Sequence, residues 1–140
     1  MDAAGMRAFV RMDGEEALDL FQDTADGKLD DWSLAEAALL SSGILEAKKR
    51  QQYLAQIDRI TEQAKGAVKS AKTPYEKGEL LLKGLHANIM DGGYEKYQTD
   101  LSVILDNGKF NCVSSATLYN IIGRRLGLDL RAIEVPDHAF

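Results

Sequence analysis

The chain has 140 residues, 45% of them hydrophobic and 28% charged, which suits one soluble globular domain with its own core. The net charge of −5 and the scattered basic residues exclude the usual electrostatic footprint of a nucleic-acid binder. A single cysteine excludes an intrachain disulfide framework, and one cysteine with two distant histidines excludes a recognisable metal-ligand spacing.

Met1 to Arg7 lacks the basic-then-apolar order of a signal peptide. No apolar run approaches the roughly 18 residues that a membrane span needs. The composition leaves the compartment open, with the cytoplasm favoured.

Residues 14–24 read as a short amphipathic helix with Ala17, Leu18 and Phe21 on one side. Leu34 to Leu40 follows a helix start at Asp31 or Ser33, with Glu36 placed to complete a capping box, and Gly43 is the stop. Glu46 to about Ala71 is the longest helix, with Tyr53, Ile57, Ile60, Ala64 and Ala67 at helical spacing. Thr73-Pro74 opens another helix, capped by Thr73 and carrying Leu80, Leu81, Leu82, Leu85 and Ile89; Asp91-Gly92-Gly93 ends it. His86 falls on that helix as a partly exposed residue.

Tyr94 to Tyr97 reads as a loop, Leu101 to Leu105 as a short helix and Asp106 to Lys109 as a turn. Cys112 to Leu126 is a helix closed by Gly127. Leu128 to Val135 alternates apolar and polar residues as a half-buried strand does, Pro136-Asp137 turns, and His138 to Phe140 begins a second strand. The fold class expected is α+β, mostly helical. Residues 1–29 form an extension with a short helix, and 30–98 a helical segment.

Cys112 and His138 are the candidate chemistry. A thiol at a helix N-terminus is biased toward thiolate by unpaired N–H groups and the helix dipole. A histidine arriving on a following strand would act as its base. The bland alternatives are a small buried thiol and a surface histidine.

Asp106-x-Gly108-x-x-Asn111-Cys112-x-x-x-Ala116-x-Leu118-Tyr119, then Arg125-Leu126-Gly127-Leu128, then Val135-Pro136-x-His138-Ala139-Phe140, resembles the transglutaminase-like superfamily core. Asp31 to Leu40, the long helix and Gly93-Tyr94-x-x-Tyr97-x-x-x-Leu101-Ser102-x-x-Leu105 resemble the helical segment of its bacterial SirB-type branch. The resemblance implies a papain-like arrangement, in which a cysteine opens a helix and antiparallel strands follow. It makes residues 99–140 the N-terminal half of that core, with a third, orienting residue expected on a strand after Phe140. It also implies Cys112 as nucleophile and His138 as general base, with Tyr94, Tyr97 and Asn111 lining the substrate side. The chemistry implied is hydrolysis or acyl transfer at amide or peptide bonds, with a protein or peptide substrate and no cofactor. As an incomplete core, this chain alone is expected to be inactive. The alternative is a non-catalytic transglutaminase-like interaction module. In either case an exposed sheet edge would invite a homo-oligomer.

Overall fold

The computed structural model describes residues 15–139. Helix α1 spans Glu15–Asp23 and runs into a 3-10 turn at Thr24–Asp26. Then come α2 (Leu34–Ser41), α3 (Ala47–Ala67) and α4 (Pro74–Asn88), the two-residue strand β1 (Gly93–Tyr94), α5 (Leu101–Asn107), β2 (Lys109–Phe110) and α6 (Cys112–Arg125). A hairpin of β3 (Glu134–Val135) and β4 (His138–Ala139) completes the described part. The fold is therefore mostly helical, with short strands.

Local sequence signals explain the helix starts. Ser33 caps α2: its hydroxyl accepts from the Glu36 N–H, while the Glu36 carboxylate accepts from the Ser33 N–H. Thr73 caps α4 in the same way through the Glu76 N–H, with Pro74 in the first helical turn.

Helix α3 packs against α2, α4, α5 and α6. It contributes Tyr53, Ile57, Ile60 and Ala64 to one apolar cluster with Leu39, Leu81, Leu85, Ile104, Leu118 and Ile122. The cluster crosses the boundary expected near residue 98. No helix among the described residues is long and apolar enough to cross a membrane.

Several expected boundaries and faces shift. The longest helix stops at Ala67, with Val68 rather than Ala67 turned into the core. On α1 the buried residue is Leu20, while Leu18 and Phe21 are exposed. What anchors α1 is polar: Glu16 pairs with Arg50 of α3, whose guanidinium also donates to the Ile44 and Leu45 carbonyls. Leu82 is exposed on α4 although its neighbour Leu81 is fully buried.

The strand expected over Leu128 to Val135 is confined to Glu134–Val135, paired antiparallel with His138–Ala139. The alternation that suggested it is present: Leu128 is buried and Leu130 packs on the core, while Asp129 and Arg131 face out. At its start, the Leu128 N–H and the Leu130 carbonyl bond to α6 instead of to a neighbouring strand. The helix closes in a Schellman motif around Gly127 (φ +84), with the Leu128 N–H donating to the Gly123 carbonyl and the Gly127 N–H to the Arg124 carbonyl. Arg124 then donates to the Leu130 carbonyl, and the Leu130 side chain lies where a β-carbon on Gly123 would stand. Alternating burial thus arises with no ladder.

A second difference lies upstream. Residues expected as loop and turn pair in parallel, Gly93 opposite Lys109 and Tyr94 opposite Phe110.

Candidate functional site

The site is built around the first turn of α6. Asn111 is its N-cap and is 3% exposed. Its side-chain oxygen accepts from the Val113 and Ser114 N–H groups, both at 3.0 Å. The Asn111 N–H in turn donates to the Ser114 hydroxyl at 3.0 Å, which closes a capping box. The carboxamide nitrogen donates to the Lys96 carbonyl (3.1 Å) and the Thr99 hydroxyl (2.8 Å). The Asn111 side chain is thereby spent on the helix start and the preceding loop, and its carbonyl accepts from the Ser115 N–H at 3.0 Å, so the residue serves the helix start rather than a ligand.

Cys112 opens α6 and is half-buried, with a free thiol. Its carbonyl accepts from the Ser115 hydroxyl. With the Val113 and Ser114 amides given to Asn111, the Cys112 N–H is the one amide of the first turn that takes no acceptor among the described residues.

His138 stands on β4, which packs against α6. The Pro136-Asp137 turn brings it back opposite Val135. Cys112 and His138 line one open groove of about 560 Å³. One wall is Cys112, Val113, Ala116 and Thr117 from the first two turns of α6; the other is the segment 132–139. Val113, Ile133 and Val135 leave apolar surface exposed beside it.

Tyr94 and Tyr97 stand outside this groove. Tyr94 meets Phe110 edge-on at 5.9 Å between ring centroids, and Phe110 meets His86 edge-on at 5.4 Å. Tyr97 is 84% exposed, with the Lys96 ammonium 5.6 Å from its ring centre. The structure therefore brings Cys112 and His138 to the lining of one groove and leaves the two tyrosines outside it, Tyr94 on β1 and Tyr97 on the loop that follows.

That loop is fastened to the segment leading into Cys112. The Gly92 N–H donates to the Gly108 carbonyl (3.1 Å) and the Glu95 N–H to the Phe110 carbonyl (2.8 Å), extending the pairing of β1 with β2. The Glu95 carboxylate accepts from the Lys109 ammonium at 2.8 Å. This bond and the ammonium's charge hold its carboxyl below the ordinary value. The buried Ser114 hydroxyl donates to the Gln98 carbonyl at 2.8 Å.

Sequence reasoning overlooked Ser114 and Thr117, and quoted Ala116 without placing it at the site. Ser114 was within reach, because Asn111-x-x-Ser114 has the spacing of a capping box. Ala116 and Thr117 follow from Cys112 and Val113 by adding one helical turn. Among the described residues, no cluster of three His, Cys, Asp or Glu side chains is placed to hold a metal ion. Comparison with models of protein families, with curated proteins and with solved structures finds no match to this chain.

Proposed function

We propose that the chain carries the nucleophile and base of a transglutaminase-like, papain-like cysteine site acting on amide or peptide bonds. The observation that carries this reading is the shared groove: Cys112 at the start of a helix and His138 on an antiparallel hairpin line the same cavity. The open Cys112 N–H is a donor for a developing oxyanion.

In this mechanism His138 takes the Cys112 proton, and the sulfur attacks the amide carbonyl. The carbonyl oxygen gathers charge beside the Cys112 N–H. As the C–N bond breaks, His138 returns the proton to the departing amine, leaving a thioester on Cys112. Water or a second amine then attacks the thioester, which gives hydrolysis or acyl transfer and restores the thiol. A third group on the resembled family's following strand would orient His138.

The test is alkylation of the native protein by iodoacetamide near neutral pH. The pair predicts a Cys112 rate above that of a small free thiol, lowered by about tenfold in His138→Ala. A rate equal to that of the free thiol and unchanged by His138→Ala overturns the pair.

A second reading is favoured by the exposed Val113, Ile133 and Val135 beside the groove. A non-catalytic peptide-binding module would use that apolar surface without the thiol. It predicts that Cys112→Ala leaves function intact in the cell, whereas the catalytic reading predicts loss of function with folding preserved.

A further inference from the structure

The loop 92–99 is attached to the chain entering α6 at almost every residue. Gly92, Glu95, Lys96, Gln98 and Thr99 each bond to a partner between Gly108 and Ser114. From Gly92 to Gln98 the attachments advance in step along both segments, and Thr99 returns to Asn111, so the loop follows the approach to Cys112 and closes on its cap.

Two of the partners do double duty. The Asn111 carboxamide caps α6 with its oxygen and grips the loop with its nitrogen. The Ser114 hydroxyl closes the capping box and donates to the Gln98 carbonyl. Ser114 is 0% exposed, so water has no access to substitute for either bond.

We infer that Thr99, Asn111 and Ser114 are positioning residues through which the exposed Tyr94–Thr99 loop sets the geometry of the first turn of α6, and so of Cys112. This inference rests on the reading of Cys112 as a nucleophile, and it adds the device that holds that nucleophile in place. A carboxamide pinned at its nitrogen end has a fixed oxygen, and a fixed oxygen keeps the Val113 and Ser114 amides aligned. Releasing the nitrogen frees the oxygen to leave. The first turn then frays, and the thiol loses its fixed place on the groove wall.

The surface location of Thr99 makes the test clean. Thr99→Val removes the hydroxyl that accepts from Asn111, at an exposed position outside the apolar core. Thr99→Ser keeps the hydroxyl. Ser114→Ala cuts the second tie. The readouts on the whole chain are native-state hydrogen exchange, residue by residue, and the iodoacetamide rate of Cys112.

Thr99→Val and Ser114→Ala are expected to speed exchange of the Val113 and Ser114 amides by about tenfold, with the Ile121 and Ile122 amides unchanged. The alkylation rate of Cys112 falls by about threefold in both variants, and Thr99→Ser matches the wild type in both readouts. Unchanged exchange at Val113 and Ser114, or faster exchange only in step with Ile121 and Ile122, overturns the inference. The nucleophile reading fails separately, through an alkylation rate indifferent to His138→Ala. In that event the amide exchange still decides whether the loop governs the helix start.

Discussion

Gly92 and Gly108 meet backbone to backbone. The Gly92 N–H donates to the Gly108 carbonyl at 3.1 Å, and a β-carbon on Gly92 would overlap the Asn107 carbonyl oxygen and stand 2.7 Å from the Gly108 carbonyl carbon. Gly108 itself has φ +73, and a β-carbon there would stand 2.7 Å from the Ile89 carbonyl oxygen. The contact opens the parallel pairing that leads toward Cys112. Gly92→Ala is therefore expected to cost about 2 kcal/mol or more, because backbone rather than a yielding side chain must move. Urea denaturation measures it; a loss under about 0.5 kcal/mol would show that the pairing shifts freely.

Arg50 is 5% exposed, and its guanidinium reaches the Glu16 carboxylate and the Ile44 and Leu45 carbonyls. It ties α1 and the α2–α3 connection to α3. Arg50→Ala leaves those carbonyls without their donor and strands a partly buried carboxylate, for an expected loss of about 3 kcal/mol. Glu16→Gln keeps an acceptor and should lose less. Equal losses in the two variants would place the stabilisation in the ion pair rather than in the carbonyl bonds.

Tyr53 donates its hydroxyl to the Asp106 carboxylate at 2.9 Å, joining α3 to the end of α5. Burial, and then the bond and charge of Asp106, raise its phenol above the ordinary value of 10.0. The neutral phenol is the form the fold favours. Its contribution is therefore complete below pH 10 and is lost as pH rises through the folded value. Tyr53→Phe should cost about 1 kcal/mol at neutral pH. Above pH 10 the difference between wild type and variant should shrink, as followed by denaturation across the alkaline range. A difference that stays constant through that range would sever Tyr53 from the effect.

What was legible in the sequence was whatever neighbours in sequence decide. Ser33 with Glu36, Thr73 with Pro74, and Gly127 each act within one turn, and each stands where the residue pattern put it. Pairing at a distance was not legible. Gly93-Tyr94 and Lys109-Phe110 are two residues each, too short to print a period, and they align only because two glycines let the backbones touch. The alternation at Leu128 and Leu130 was visible, but it cannot say whether a strand or a helix end receives the polar groups. At the site, the thiol and histidine were marked by their rarity. That Tyr94 and Tyr97 lie outside the groove depends on tertiary packing that sequence order does not encode.

The Schellman turn at Gly127 makes α6 a ruler. The chain leaves the helix at one end, is fastened there by Leu128 and Leu130, and doubles back to bring His138 into the groove that Cys112 lines at the other. The helix has 14 residues, so the return run measures off a length of about 20 Å. One residue inserted in the middle of α6 would turn Cys112 by about 100° and displace it by about 1.5 Å relative to the anchored end. The hairpin, hung from that end, would not follow. The place of His138 in the groove that Cys112 lines is thus a matter of counted residues, and a change of helix length far from either would shift one wall against the other.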